Sequence, residues 1–195
     1  TVADLAEVAE EGVAIQAEQG IVTGPVPLTP IQSWFFEQSY SNPHHFNQSV
    51  MLSVQKELDA DVLRQAWHRM MEHHDALRLR FEELPDGWHQ RIADLDECDI
   101  ASIFSEVDLR DEPEQSRTET LEAAAQKFQR SLNVTDGPLV RVAVFRLADG
   151  SARLLIVSHH MAVDGVSWRI LLEDLMLSYE QLSRGLDAKL APKTT

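Results

Sequence analysis

Two apolar strand patterns joined by a tight turn, and followed at once by an apolar helix pattern, constrain the fold most. Segments 139–147 and 152–158 flank Asp149-Gly150, a dipeptide typical of β-hairpin turns. The apolar pattern over 166–182 then has the spacing and length of a helix that is buried on most sides. A hairpin that leads directly into such a helix predicts a sheet covered by helices.

The rest of the chain continues this alternation. Thr29 and Pro30 are predicted as the cap and the first position of a helix that extends to Gln38, and Asp59 or Asp61 as the cap of a helix that extends to Met71. A further helix is predicted over 114–132, and strands are predicted over 46–54, 77–83 and 88–92. The order predicts an α/β fold, a two-layer sandwich in which helices cover a mixed β-sheet. Residues 1–24 are acidic and weakly periodic, so we interpret them as a leader or linker and assign residues 25–195 to one lobe.

Composition excludes several classes of function. The formal net charge of −15 argues against binding to nucleic acid phosphates or to anionic membranes. No apolar run reaches the roughly 18 residues of a membrane span, and the single Cys98 excludes an internal disulfide. We therefore expect a cytoplasmic protein. The acidic stretch 94–122 is interpreted as a solvated face, with a docking surface for a basic partner as the alternative.

The histidines occur mostly as adjacent pairs, and one pair lies where chemistry is expected. The pairs are His44-His45, His73-His74 and His159-His160. Adjacent residues of a strand point to opposite faces, and no pair has the i,i+4 spacing of a helical zinc motif, so no metal site is predicted. His160 lies between a buried strand pattern and a helix, and such strand ends open onto crevices in α/β sheets.

His160 is therefore the candidate for chemistry. Imidazole titrates near neutral pH and can accept and return a proton. The residues alone leave open a purely structural histidine, and they favour a structural role for Asp164 as a helix cap or ion-pair carboxylate. Gly165 permits a tight junction or a close backbone approach. Trp168 and the run Trp34–Phe36 are more typical of a core than of a ligand platform.

Several segments resemble, in order and spacing, the condensation superfamily of nonribosomal peptide synthetases. Segment 159–165 resembles its His-His-x-x-x-Asp-Gly motif. Segment 74–81 resembles its His-Glu-x-Leu-Arg-x-x-Phe segment, with Asp75 in place of Glu. Segments 30–37 and 164–175 look like the epimerization branch of the superfamily. The resemblance implies one lobe with a fold similar to chloramphenicol acetyltransferase.

The resemblance also implies a reaction and roles for residues. An epimerization domain removes and returns the α-proton of an aminoacyl or peptidyl thioester carried on the 4'-phosphopantetheine of a carrier domain, and no cofactor is bound directly. By this resemblance His160 is the catalytic base or acid, and His159 supports the strand end. Asp164 is expected to be structural and paired with Arg78. Gly165 is expected where the pantetheine tunnel narrows, with its amide toward the thioester oxygen.

Members of this superfamily have two similar lobes, so the resemblance implies that residues 25–195 are the N-terminal lobe. The C-terminal lobe, with a second proton-carrying glutamate, is expected to be missing, and the 195-residue chain is expected to be inactive alone. The expected partners are a carrier domain, the C-terminal lobe and a second copy of the chain through the exposed lobe face. Three alternatives remain: a condensation domain that forms peptide bonds, a non-catalytic lobe that docks the carrier, and an acetyltransferase of the chloramphenicol type.

Overall fold

The structure is a computed structural model that describes residues 17–55 and 57–193, which form two β-sheets with helices packed on them. Most of the predicted leader lies outside the described residues. The strands are β1 (Gly24–Val26), β2 (Asn47–Val54), β3 (Leu79–Leu84), β4 (Gly87–Ile92), β5 (Phe104–Asp108), β6 (Val140–Arg146) and β7 (Ala152–His159). The helices are α1 (Pro30–Glu37), α2 (Ala60–His73), α3 (Ile100–Ile103), α4 (Glu114–Gln129) and α5 (Gly165–Ser183).

The larger sheet has the strand order β2-β7-β6-β5. Strands β2 and β6 pair antiparallel with β7, whereas β5 pairs parallel with β6, so the sheet is mixed as predicted. Strand β5 lies inside the acidic stretch 94–122 and was not predicted. Its exposed side chains are Glu106 and Asp108. Because acidic residues are depleted in strands, the short alternation of apolar and polar residues in β5 was not recognised within the acidic stretch.

Helices cover both faces of this sheet. The period of two along β6 and β7 sends Val142, Val144, Leu154 and Ile156 to the face that carries α2 and α5, and Ala143, Phe145, Leu155 and Val157 to the face that carries α4. Fully buried Trp67 and Met70 of α2 fill the first face. The predicted α/β fold with a mixed, helix-covered sheet is confirmed, and α4 adds a layer to the opposite face.

The smaller antiparallel sheet, of order β1-β4-β3, supports α1. Phe36 of α1 stacks on Trp88 of β4 with ring centroids 4.0 Å apart, and Phe35 is also buried. Trp34 is half exposed, because consecutive helix residues point about 100° apart and cannot share one buried face. The aromatic run therefore divides between a core and a surface.

Local sequence signals determine where the helices begin. The Asp59 carboxylate accepts hydrogen bonds from the backbone N–H groups of Asp61 (2.9 Å) and Val62 (3.1 Å) and thereby caps α2. Thr29 precedes α1, which starts at Pro30 as predicted. The Thr29 backbone N–H donates to the side-chain oxygen of Gln32 at 2.9 Å.

The expectation that α5 is buried on most sides is wrong. Leu171 and Leu175 are buried against α2, but Val166, Ile170 and Leu177 are 65%, 44% and 40% exposed. We call these three residues the apolar face of α5. One side of a helix can contact the layer beneath it, and no described element packs on the other side. Neither α5 nor any other described helix is long and apolar enough to cross a bilayer.

The first and last described segments of the chain are joined to each other. The Gln19 side-chain oxygen accepts the Lys193 backbone N–H at 2.9 Å, and its amide nitrogen donates to the Lys193 carbonyl at 3.1 Å. The Lys193 ammonium donates to the Gly20 carbonyl and to the Asp75 carboxylate, the latter at 2.9 Å. Residues 19 and 193 are thus neighbours although 174 positions separate them.

Candidate active site

The loop 160–164, which connects β7 to α5, forms one wall of a cleft of about 430 Å³. Helix α1 and the residue before β2 supply the other walls. Residues lining the cleft include Ile31, Trp34, Phe46, His160, Val163 and Ser167. The cleft thus opens beside the C-terminal end of β7, which confirms the predicted position of His160 at a strand end.

The His160 ring is held on several sides. Its Nδ1 lies 2.7 Å from the Val163 carbonyl oxygen, and its Nε2 lies 3.0 Å from the side-chain nitrogen of Gln48. The ring stacks on Phe46 with centroids 5.1 Å apart and an interplanar angle of 21°. The backbone N–H of His160 also donates to the Phe46 carbonyl at 2.7 Å. These contacts fix the direction in which the ring nitrogens point.

Hydrogen-bond chemistry assigns the tautomer of His160. A carbonyl oxygen can only accept, so Nδ1 carries the hydrogen that is donated to Val163. The indole Nε1–H of Trp168 can only donate and lies 2.7 Å from the Gln48 side-chain oxygen, so the Gln48 NH2 group faces His160. The neutral His160 ring therefore has its lone pair on Nε2, where it accepts from Gln48.

His159 has the opposite environment. Its side chain is fully buried, its Nε2–H donates to the Pro43 carbonyl at 2.9 Å, and its Nδ1 accepts the Met161 backbone N–H at 3.2 Å. Burial lowers the pKa of His159 to about 4, so the ring is neutral at physiological pH. These hydrogen bonds tie the strand end to the loop before β2, which is the geometry expected of a supporting residue.

Asp164 caps α5. One carboxylate oxygen accepts the backbone N–H groups of Val166 (3.0 Å) and Ser167 (2.7 Å) and the Ser167 hydroxyl (2.7 Å). The Ser167 hydrogen bonds are the main reason that the pKa of Asp164 lies below its usual value. Gly165 follows as the first helical residue, and a Cβ there would meet no described atom within 4 Å. The described residues therefore impose no tight junction at Gly165.

The predicted pairing of Asp164 with Arg78 is wrong. Arg78 is fully buried, and its guanidinium donates to the Asp75 carboxylate and to three backbone carbonyls. These carbonyls belong to Val22, Met71 and Ala93. Asp75 lies one short turn before Arg78 and within its reach, whereas Asp164 is exposed and its carboxylate is used by the start of α5. Arg78 therefore belongs to a structural network, which we call the Arg78 network.

The period of two along β2 places Gln48 on the same strand face as Phe46, but no role at the site was predicted for it. The available signal was its polarity, because the other residues of that face are apolar. The partner of Gln48, His160, lies 112 positions further along the chain, so only the register between β2 and β7 brings the two together.

A second histidine cluster lies away from the cleft. One ligand-type atom from each of His73, His74 and Asp174 lies within 4.8 Å of the others. His74 Nε2 and the Asp174 carboxylate are 2.9 Å apart, and burial lowers the pKa of His74. This hydrogen bond joins the end of α2 to α5, and the His73 ring contacts the His74 ring edge-on with centroids 4.9 Å apart.

Two larger depressions contain no histidine in the described part of the chain. One, of about 890 Å³, is lined by acidic residues and arginines around Asp59 and Asp108. The other, of about 580 Å³, lies beside the Phe36–Trp88 stack. A third depression, of about 480 Å³, is also larger than the cleft and is lined by His44 and His45, which do not follow a strand end. The His160 cleft is the candidate active site because of its chemistry and not because of its size.

Comparisons with known proteins indicate the family of the chain. A family model described as "Condensation domain" matches residues 22–195. The chain is 48% identical over 202 residues to a linear gramicidin synthase protein of Brevibacillus parabrevis, and 47% identical over 196 residues to chondramide synthase cmdD of Chondromyces crocatus. Both alignments cover all of this chain but only 3% and 5% of those proteins.

Solved structures extend the comparison. The epimerization domain from the third module of tyrocidine synthetase B superposes with a TM-score of 0.86 at 38% identity, over 93% of this chain and 39% of that one. The starter condensation domain of rhizomide synthetase has a TM-score of 0.73 at 21% identity, over 86% of this chain and 40% of that one, and shows the same fold. The chain therefore belongs to the condensation domain family of nonribosomal peptide synthetases.

Proposed function

We propose that this chain is the His160-bearing lobe of an epimerization domain. The complete domain would convert an L-aminoacyl or peptidyl thioester, carried on the phosphopantetheine of a carrier domain, to the D form. The similarity to the epimerization domain of tyrocidine synthetase B, at 38% identity, supports this branch over the starter condensation domain at 21%. The single observation that carries the mechanism is the position of His160 in the cleft.

His160 supplies the base. Its Nδ1–H is committed to the Val163 carbonyl, so proton transfer uses the lone pair of Nε2. In the proposed step the α-carbon–hydrogen bond breaks, an Nε2–H bond forms, and the electron pair moves into the thioester carbonyl to give an enolate. A proton delivered to the other face of the α-carbon then completes the inversion.

The start of α5 supplies stabilisation for the developing negative charge. Asp164 already takes the N–H groups of Val166 and Ser167, whereas the Gly165 N–H has no acceptor among the described residues. A helix N-terminus favours negative charge, and a free backbone N–H is suited to an oxyanion. The open space above Gly165 leaves room for a pantetheine arm. We assign the Gly165 N–H to the thioester oxygen.

The apolar face of α5 and half-exposed Trp34 support the need for a second lobe. Large apolar residues exposed together are typical of a surface that another chain or domain covers. We propose that the C-terminal lobe covers them, closes the cleft and provides the second proton carrier. A homodimer through the same surface is the alternative, and a light-scattering mass of the 195-residue chain distinguishes a dimer from a monomer.

The test is the substitution His160→Ala in a complete two-lobe domain that receives an aminoacyl-loaded carrier. We expect α-proton exchange into deuterated solvent, followed by mass spectrometry, to fall by about 10²- to 10⁴-fold, the usual contribution of a general base. His89→Ala, which removes an exposed histidine on β4, is the matched control and should exchange normally. Retained exchange in His160→Ala would refute the proposed role.

Peptide-bond formation is the second candidate, because the matching family model is that of condensation domains. It would use His160 on an incoming amine instead of an α-carbon. Supplying loaded donor and acceptor carriers separates the two activities: amide product without α-proton exchange favours condensation, and exchange without amide favours epimerization. Carrier binding with neither product, in the presence of the second lobe, favours a non-catalytic docking lobe.

A further inference from the structure

The one lone pair of His160 that is available for proton transfer is already occupied. Nε2 accepts a hydrogen bond from the Gln48 amide at 3.0 Å, and Nδ1 donates to Val163. Nitrogen in a neutral imidazole has one in-plane lone pair, so a substrate hydrogen and the Gln48 amide cannot both use it. Abstraction of a proton by His160 therefore requires Gln48 to turn away.

Trp168 determines how Gln48 is presented to His160. The indole N–H is a donor only, and it holds the Gln48 side-chain oxygen at 2.7 Å. Rotating the amide by 180° would place the Gln48 NH2 group against the Trp168 N–H, which leaves two donors facing each other. Because the Trp168 indole cannot accept a hydrogen bond, it fixes the orientation of the Gln48 amide. The Gln48 NH2 group therefore points at His160 Nε2.

We propose that Gln48, held by Trp168, is a positioning residue that caps the Nε2 lone pair of His160 until substrate displaces it. The cap keeps the ring in the tautomer and orientation required for proton transfer. It also disfavours solvent protonation of Nε2, since an Nε2–H would face the Gln48 N–H. This inference rests on the proposed function of His160 as the proton acceptor.

The charged and titratable neighbours of His160 do not replace this cap. Asp164, at the other end of the loop, is committed to the backbone of α5, and His159 is buried and hydrogen-bonded to Pro43. His44 and His45, in the segment before β2, lie near His159. Gln48 is the group that contacts Nε2 among the described residues, so Gln48 is the side chain to change.

The experiment substitutes Gln48→Glu in the complete domain. Glutamate has nearly the same shape and still accepts from Trp168, but it offers an acceptor to Nε2 and would hold a proton there. We expect α-proton exchange to be lost at neutral pH and to return at higher pH, with the pH profile displaced upward by about one to three units, as for a carboxylate placed beside a titrating group. Gln126→Glu, on exposed α4, is the matched control for the added charge.

A second variant separates the loss of the donor from the gain of a charge. Gln48→Leu removes the cap without adding an acceptor, and we expect a lower kcat with little change in KM and no upward displacement of the pH profile. A profile of Gln48→Glu identical to that of wild type, or identical effects of Glu and Leu at every pH, would overturn the proposal.

A spectroscopic measurement keeps this inference distinct from the proposed function. ¹⁵N NMR of histidine-labelled domain without substrate distinguishes neutral imidazole with its hydrogen on Nδ1 from imidazolium. We expect a larger fraction of imidazolium at His160 in Gln48→Glu than in wild type when both are measured at the same pH. If the His160 signals do not differ between these proteins, the cap is absent. If they differ while His160→Ala retains exchange, the cap stands and the proposed function fails.

Discussion

The Arg78 network and the His160 loop are both built from hydrogen-bonded polar side chains. They differ in whether a ligand could take the place of one of the hydrogen-bond partners. All the acceptors of Arg78 come from the chain itself, and the guanidinium is completely shielded from solvent. His160 lines an open cleft, and of the two hydrogen bonds of its ring, the one from Gln48 is the one that we propose a ligand replaces. A fully satisfied, buried network stabilises the fold, whereas a ring with one exchangeable partner is suited to chemistry.

Breaking the Arg78 network should have the largest effect on stability. Arg78→Met removes the guanidinium, so three backbone carbonyls lose this donor and the Asp75 carboxylate keeps only Lys193 and the Val22 N–H. We expect a loss of about 3–5 kcal/mol in the free energy of unfolding, the range for removing one partner of a buried ion pair. Urea denaturation measures it.

A double-mutant cycle identifies the partner of Arg78. Arg78→Met and Asp75→Asn should be strongly non-additive, because they remove the two ends of one contact. Arg78→Met and Asp164→Asn should be additive. Coupling between Arg78 and Asp164 above about 0.5 kcal/mol would restore the pairing that the structure contradicts.

His159 extends the comparison to pH. Its pKa is about 4 in the folded protein against 6.5 for the free side chain, so between these values the unfolded chain binds more protons. The free energy of unfolding should therefore fall as the pH falls from 6.5 towards 4, by on the order of 3 kcal/mol in total. His159→Gln, which keeps an amide donor for the Pro43 carbonyl, should lose this part of the pH dependence. Urea denaturation measures the free energy of unfolding of both proteins between pH 6.5 and 4.5. If it changes with pH in His159→Gln as steeply as in wild type, the assignment to His159 is wrong.

Asp164 should show the smallest effect on stability. Asp164→Ala removes the cap of α5, and we expect a loss of about 1 kcal/mol, as for other N-caps. Asp59→Ala, at the corresponding position of α2, is the matched control and should cost a similar amount. A loss from Asp164→Ala as large as that from Arg78→Met would indicate an ion pair and not a cap.

Local signals in the sequence predicted much of the fold. The cap at Asp59, the start of α1 at Pro30 and the hairpin around Asp149-Gly150 depend on neighbouring residues, and all three are confirmed. The junction between β7 and α5 was also predictable, because it depends on where one apolar pattern ends and another begins. The position of His160 at the cleft follows from that junction.

Contacts between distant segments were not predictable in the same way. The partner of Arg78 depends on a turn geometry that a spacing pattern does not specify, and the pairing of Gln48 with His160 depends on strand register. The exposure of Ile170 was missed for another reason. Hydrophobicity indicates that a surface tends to be covered, but it does not say whether the cover is supplied by the same lobe.

The hydrogen bonds between Gln19 and Lys193 have a consequence for protein engineering. Because these residues are adjacent, a linker of a few residues can close the lobe into a ring without crossing its surface. New ends can then be opened at the Asp149-Gly150 turn, which is exposed and lies at the opposite end of β7 from the His160 loop. Such a circular permutant would keep the cleft and would have its chain ends at the Asp149-Gly150 turn. The same lobe grafted into a host loop would also keep the cleft.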